Sequence, residues 1–238
     1  MPSTNSNITE TIGNKPDIPK GVQIGDFLVA RYTSSQWSRH LPWEDWDHSA
    51  LITETNPLKV IEVSGIMLHE NNTKKIFKNK QGVVEYEFLK PRTIKIPDDK
   101  KTYRGNLWLS DNLVEVQWLK PIFPKPLRSM AHNKVPWKKR RKITETQARK
   151  GAIAYARHQL GKPFKLSLFK SAEYSATKWD EGEWYCSLLI FKSYSRTVTN
   201  MYLESYEPLS GFFVTPEDLV QSKRSVVYHK WFNKKFIK

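Results

Sequence analysis

The stretch DHSALITETNPLKVIEVS, residues 47–64, decides the fold class because it contains two candidate strands around one turn. SALIT and KVIEVS are short runs of β-branched and apolar residues, and the intervening ETNPL is typical of a turn. Neighbouring strands joined in this way pair as an antiparallel hairpin. The stretch therefore predicts two adjacent strands in a mostly antiparallel sheet.

Similar runs on both sides of this hairpin predict further strands of the same sheet. Proline cannot extend a hydrogen-bond ladder, so Pro91 and Pro121 are each expected to end their strand. The last candidate strand lies close to the end of the chain. These four candidate strands are GDFLVARYT at 25–33, GVVEYEFLKP at 82–91, NLVEVQWLKP at 112–121 and SVVYHKWF at 225–232.

Helices are predicted in the second half, after a Pro-rich and basic connecting loop at 121–142. TETQ at 144–147 is a capping-box pattern, and small or apolar residues then recur at every fourth position until Gly161. CSLLIFKSY at 186–194 is either a buried helix or a central strand, and we favour the helix. Thr215, followed by a proline and two acids, predicts another short helix. In the first of these helices, the residues that recur at every fourth position are Ala148, Ala152, Ala156 and Leu160.

The predicted strands and helices together indicate an α+β domain with a strand-rich first half. The chain has 238 residues, of which 39% are hydrophobic, enough for one core of ordinary size. Residues 1–20 are polar and Pro-containing, so we expect a flexible leader, with the single domain at 21–238. The formal net charge of +15 suggests an anionic partner, although solubility alone also accounts for it.

Other classes of protein are disfavoured by the sequence. One cysteine cannot form an intramolecular disulfide, and the six histidines form no HxH or HxxxH pair, so we expect no metal and no cofactor. No apolar run is long enough for a transmembrane helix, and the first residues lack the pattern of a secretory signal. The expected compartment is the cytoplasm, although export by another route would leave no recognisable signal.

The single cysteine, Cys186, is the first candidate for chemistry. A thiol becomes a strong nucleophile only as the thiolate, which a helix N-terminus and a nearby imidazole stabilise. If the predicted helix begins at Tyr185 or Cys186, its free amides and positive dipole end face the sulfur. The alternative is that Cys186 is simply a small buried hydrophobic residue.

An imidazole and a carboxylate are available on the hairpin. His48 begins the first strand, and Glu62 lies late in the second, so an antiparallel pairing places both on one face of the sheet. A catalytic imidazole works best when an acceptor holds its other nitrogen. The alternatives are an edge histidine and a glutamate on an exposed face.

The order of several motifs resembles the permuted papain-like cysteine hydrolases related to NlpC-type peptidases, the YiiX- and YycO-like group. In this family the catalytic cysteine follows the histidine in sequence, which reverses the usual papain order. The resemblance covers nearly everything from Gly21 to about Leu219. It is carried by GDFLVARY, DHSALIT, VIEVSG, LGKPF, WYCSLL and VTPEDLV, in that order.

The resemblance implies a permuted papain-like fold and a role for each candidate residue. Cys186 is similar to the family nucleophile, His48 to its general base and Glu62 to the group that orients the histidine. The sequence departs from the family at Leu188, where a glutamate is common, and in WEDW at 43–46, where a glycine commonly precedes the histidine. The implied reaction is hydrolysis of an amide or ester through an acyl-enzyme, with the Cys186 N–H and one further donor, Tyr185 or Tyr32, facing the oxyanion.

The substrate remains open between cell-wall peptides, other amides or isopeptides, and acyl lipids. The basic run WKKRRK at 137–142 is either a solvated loop or a patch for an anionic polymer or lipid, and it indicates no specific nucleic acid. WFNKKFIK at 231–238 is either an interfacial tail or a final strand. Trp43, Trp46 and Trp184 either line a cleft or pack in the core. The basic run consists of Lys138, Lys139, Arg140, Arg141 and Lys142.

Three functions are therefore considered: a cysteine amidase or peptidase, a lipid-directed thiol hydrolase or acyltransferase, and a non-catalytic binding protein.

Overall fold

The protein is a mixed α+β fold built on a seven-stranded, mostly antiparallel sheet, as the sequence predicts. The computed structural model describes residues 8–33, 45–63, 67–70, 73–76, 82–95, 102–130, 136–164, 178, 182, 184–205 and 213–237. In chain order the strands are β1 Thr9–Gly13, β2 Phe27–Tyr32, β3 His48–Thr55, β4 Leu58–Val63, β5 Met67–Glu70, β6 Thr73–Ile76, β7 Val83–Glu87, β8 Arg92–Lys95, β9 Thr102–Gly105, β10 Leu113–Pro121 and β11 Ser225–Asn233.

The strand order of the large sheet is β1-β11-β10-β2-β3-β4-β7. All neighbours in it pair antiparallel except β1 and β11, which pair parallel. Strands β5 and β6 form one separate hairpin, and β8 and β9 form another. The predicted pairing of β3 with β4 is therefore confirmed, and both strands lie inside the sheet.

Helices α1 Glu145–Arg157, α2 Cys186–Ser195 and α3 Pro216–Gln221 follow the strand-rich part of the chain. The predicted capping box of Thr144 with Gln147 is present before α1. Thr215 is the N-cap of α3, as predicted, and it also forms a capping box with Asp218. The helix interpretation of residues 186–194 is confirmed. The predicted repeat reaches too far, because Leu160 lies in a turn after α1 and is 45% exposed.

The core has two layers because the central strands are buried on both faces. Successive side chains of a strand point to opposite faces, so Phe27 and Val29 lie on one side of β2 while Leu28 and Ala30 lie on the other. The first side packs against α1 and α2, and the second packs against Trp108 and neighbouring aromatic residues. Continuous burial on both faces explains why residues 27–30 of β2 and 50–52 of β3 are uniformly apolar rather than alternating.

The prediction of a flexible leader at 1–20 is wrong for the described part, which begins at residue 8. Thr9–Gly13 forms the edge strand β1, and Thr11 pairs in register with Trp231. Beyond the strand, Asp17 accepts hydrogen bonds from Thr11 Oγ1 at 2.7 Å and from His229 Nε2 at 3.0 Å. The composition argument considered only apolar burial, whereas backbone hydrogen bonds and this polar contact hold the segment.

The regions predicted as a loop and a final strand have the expected character. In the described part of 121–142, backbone bridges join Arg128 to Lys142, and a short 3-10 helix covers Trp137–Lys139. WFNKKFIK continues β11 to Asn233, and Trp231 is buried. The strand interpretation of this segment is therefore confirmed over residues 231–233. No helix within the described residues is long and apolar enough to cross a membrane.

Candidate active site

His48 is fixed by its position as the first residue of β3. It pairs in register with Ala30 of β2, and its side chain is buried. The preceding residue, Asp47, donates its N–H to Ala30 O at 2.9 Å and accepts the Tyr32 N–H at Oδ2 at 2.8 Å. The end of β2 therefore holds the point at which the histidine enters the sheet.

Glu62 lies beside His48 on the same face of the sheet. Leu51 pairs with Ile61, so Glu62 lies opposite Ala50, two residues from His48. The Glu62 side chain is fully buried, and its Oε2 accepts the His48 Nε2–H at 2.7 Å. This is the geometry predicted from the hairpin. Because Nε2 is taken by Glu62, Nδ1 is the ring nitrogen that faces away from the carboxylate.

Trp108 completes the surroundings of Glu62. Its indole Nε1 donates to the same Oε2 at 3.1 Å, and its ring lies 5.5 Å from the His48 ring between centroids. Two donors therefore share one oxygen of the Glu62 carboxylate. A buried carboxylate without such donors would be strongly disfavoured.

Cys186 is the first residue of α2. Tyr185 is the helix N-cap and makes no side-chain capping bond, so the first amides of the helix remain directed at the N-terminal end. Cys186 is 5% exposed and interacts with the His48 ring and with Ser49. The structure therefore brings all three predicted residues together.

The electrostatics of the three groups depend on each other. Burial alone would lower the pKa of His48, but the charge of Glu62 and the hydrogen bonds with Cys186 and Glu62 raise that pKa to about 10. Burial alone would raise the pKa of Cys186, but its hydrogen bond with His48, the charge of His48 and the hydrogen bonds with Ser49 lower it. Both directions favour a thiolate beside an imidazolium.

A clamp behind α2 fixes the residues on both sides of Cys186. The Val214 N–H donates to Tyr185 Oη at 3.0 Å, and Ser187 Oγ donates to Val214 O at 2.6 Å. Thr215, the next residue, is the N-cap of α3. The VTPEDLV motif therefore has a structural role, since it anchors the start of the helix that carries the sulfur.

The two tyrosines considered as oxyanion donors differ in their surroundings. Tyr185 is fully buried, and its hydroxyl oxygen accepts the Val214 N–H. The Tyr32 hydroxyl donates to Leu107 O at 3.2 Å. Burial and the charges of Glu62, Asp47 and Cys186 raise the pKa of Tyr32 well above its ordinary value. Tyr32 therefore stays protonated beside the site, whereas Tyr185 is engaged in the clamp.

Other predicted features lie away from this chemistry. Trp46 and Trp184 are buried core residues, and Trp43 lies outside the described residues. Leu188, where the resembled family often has a glutamate, is also fully buried in the core. Within the described ranges, no group of three or more His, Cys, Asp or Glu side chains could hold a metal ion.

The basic run is mostly on the surface. Arg140 is half-buried and donates to Thr199 Oγ1 at 3.1 Å, while the other four members are exposed. The run is held in place through the Arg140 carbonyl, which accepts a hydrogen bond from Arg128 Nη1 at 2.7 Å. The exposed members are Lys138, Lys139, Arg141 and Lys142.

Sequence reasoning missed Trp108, Ser49 and the Val214 clamp. Trp108 is 46 residues from Glu62 in the chain, and LWL at 107–109 carries no pattern that points to a carboxylate. Ser49 adjoins a candidate residue, so its proximity to the site was the one available signal.

Comparisons of the chain with protein-family models, with curated proteins and with solved structures found no match.

Proposed function

We propose that the protein is a cysteine hydrolase with a permuted papain-like fold, which cleaves amide or peptide bonds through Cys186, His48 and Glu62. The observation that carries the proposal is the buried His48 ring, held at Nε2 by Glu62 at 2.7 Å and in contact with Cys186. A cysteine buried only for packing has no need of an imidazole or of a carboxylate behind it. This arrangement lowers the pKa of the thiol despite its burial.

The reaction begins with the ion pair. The Cys186 thiolate attacks the carbonyl carbon, forming an S–C bond and moving the C=O electron pair onto oxygen. When the tetrahedral intermediate collapses, the C–N bond breaks and the His48 imidazolium gives its Nδ1 proton to the leaving nitrogen. The products of this half-reaction are a free amine and an acyl thioester on Cys186.

Water completes the cycle. Neutral His48 removes a proton from water as its oxygen attacks the thioester carbon, and the second intermediate expels the Cys186 thiolate with the carboxylic acid. Glu62 keeps its negative charge throughout and holds the imidazole in one tautomer and one direction. The imidazolium formed in this step restores the starting ion pair.

The developing oxyanion lies at the start of α2. The Cys186 N–H is in the first turn of a ten-residue helix, where the positive dipole end stabilises negative charge. The Tyr32 O–H is donated to Leu107 O and Tyr185 Oη accepts the Val214 N–H, so the proposal rests on the Cys186 N–H and the helix dipole. Loss of one such donor typically lowers kcat by about 10²-fold or more.

The test uses 4-nitrophenyl acetate, an activated ester that any acyl-enzyme mechanism should accept. Wild-type protein is expected to release nitrophenolate in a burst, to gain one acetyl group on Cys186 by mass spectrometry, and to lose it again with time. Cys186→Ser should give no burst and no acetylation at position 186. Acetylation spread over lysines, at equal rates in both proteins, would contradict the proposal.

The exposed basic run favours a second candidate, a lipid-directed thiol hydrolase or acyltransferase that uses the same triad. Four exposed cations in one short segment attract anionic lipid headgroups. Sedimentation with phosphatidylglycerol vesicles, followed by measurement of released fatty acid, separates this candidate from the first. Binding without release, and unchanged by Cys186→Ser, would instead favour a non-catalytic binding protein.

A further inference from the structure

Trp108 lies at the outer end of the hydrogen-bonded series that begins at Cys186. It belongs to the 3-10 helix Leu107–Leu109, which precedes β10, and its side chain is fully buried. The indole Nε1–H donates to Glu62 Oε2 at 3.1 Å, and this oxygen also accepts the His48 Nε2–H at 2.7 Å. One carboxylate oxygen is therefore shared between an indole and the candidate catalytic imidazole.

The indole is held by contacts on several sides. Its ring centroid lies 5.5 Å from that of His48 and 5.2 Å from that of Phe88. Asn106 Oδ1 accepts the Trp108 backbone N–H at 2.9 Å, and Asn106 Nδ2 donates to Phe88 O at 2.6 Å. These contacts fix both the ring and the backbone of Trp108, so the direction of its N–H is set by the fold.

We propose that Trp108 is a positioning residue, whose indole N–H keeps Glu62 ionised and correctly oriented, so that Glu62 keeps His48 protonated beside Cys186. This inference rests on the proposed function, because it assigns Trp108 a role in the same site. Its physical basis is the full burial of Glu62, since a carboxylate removed from water depends on protein donors to remain charged.

Removal of the indole N–H has a defined consequence. Glu62 then accepts one fewer hydrogen bond at Oε2, and its protonated form gains relative to the carboxylate. The proton comes from His48, which leaves the thiolate without its cation. The thiolate then takes up a proton at a pH where it is charged in the wild type.

The experiment measures the rate of Cys186 alkylation by iodoacetamide against pH, for wild type, Trp108→Phe and a matched control, Trp118→Phe. Trp118 is also fully buried and contacts the same Phe88 ring at 5.5 Å between centroids. Its indole N–H has no hydrogen-bond acceptor among the described residues. Both variants lose an indole from the same core layer, but only Trp108→Phe loses a hydrogen bond to Glu62.

For Trp108→Phe, alkylation at about pH 6 is expected to slow by about tenfold, with its acid limb moved to higher pH, as loss of a hydrogen bond to a charged group predicts. Trp118→Phe should keep the wild-type profile. Wild-type profiles in both variants, or equal changes in both, would overturn the inference and leave the proposed function intact. If wild-type Cys186 itself reacts like an ordinary thiol, the proposed function fails and the inference fails with it.

A second measurement covers the case in which Trp108→Phe does not fold. In ¹⁵N-labelled protein, an indole N–H that donates to a carboxylate resonates at a different frequency once that acceptor becomes neutral. Glu62→Gln is therefore expected to move one indole signal strongly upfield relative to wild type. If no indole signal responds to the loss of the Glu62 charge, the shared oxygen has no effect on the indole and the inference is overturned.

Discussion

Replacement of Glu62 by glutamine tests how much of the thiol reactivity depends on one buried charge. The substitution keeps the shape of the side chain and removes the negative charge 2.7 Å from His48 Nε2. At an effective dielectric constant of about 20, two unit charges about 4 Å apart interact by about 4 kcal/mol, which corresponds to about three pKa units. Without this charge, burial dominates and is expected to lower the pKa of His48 well below its ordinary value, so that the ring is neutral at about pH 6.

A neutral imidazole no longer stabilises the thiolate. At about pH 6, the ionised fraction of Cys186 in Glu62→Gln is therefore expected to fall by about 100-fold, towards that of a free thiol. The assay is alkylation by iodoacetamide, followed by intact mass. Because Cys186 is the one cysteine of the chain, a single added group reports its reaction without peptide mapping.

Glu115→Gln is the matched control. Glu115 is also a buried carboxylate on the central sheet, but it pairs with Arg31 at 2.8 Å rather than with a histidine. This variant should be alkylated at the wild-type rate. If Glu62→Gln also reacts at the wild-type rate at about pH 6, the reasoning that links Glu62 to the sulfur through His48 is refuted.

The remaining predictions concern stability and its dependence on pH. Arg149→Met removes the ion-pair partner of Asp26, a fully buried carboxylate that lies 2.6 Å from the guanidinium. The free energy of unfolding in urea should therefore fall by about 3–5 kcal/mol, and a loss below about 1 kcal/mol would contradict this. Gly25→Ala should destabilise the protein by at least about 1 kcal/mol more than Gly21→Ala. Both glycines have φ near +80°, but only a Cβ at Gly25 would meet Tyr194 Oη, at 2.8 Å. Equal melting temperatures of the two variants would count against this prediction. In a Cys186→Ala background, Glu62 still raises the folded pKa of His48. The stability that His48 gives over His48→Gln should therefore be full below about pH 6.5 and decline as pH rises through this raised pKa; a difference in urea unfolding that grows with pH would be inconsistent with this.

The sequence predicts six strands, β2, β3, β4, β7, β10 and β11, and the three helices, because each of these elements carries a local signal. The hairpin at 47–64 has two apolar runs around a turn, and α1 and α3 begin at capping boxes that depend only on neighbouring residues. The prediction of a flexible leader is wrong at 9–13 because the pairing of β1 with β11 joins residues more than two hundred positions apart. Nothing in TETIG at 9–13 indicates that partner.

The candidate site divides in the same way. His48 and Glu62 were predictable as neighbours because strand pairing and the alternation of side chains place them on one face. The prediction that Cys186 lies near His48 rests on the resemblance to a family and on the predicted helix start. The separation of these two residues in the sequence gives no geometric constraint on their distance. Trp108 was not predictable, because its contact with Glu62 depends on how two distant segments pack.

The most direct measurement of the central claim is the ionisation of Cys186 followed by the far-ultraviolet absorbance of its thiolate, taken as the difference between wild type and Cys186→Ser. A sulfur paired with the His48 imidazolium is expected to ionise at a pH below the ordinary thiol pKa of about 8.5. A thiolate signal that appears only above about pH 8.5 would contradict the ion pair and with it the proposed hydrolase.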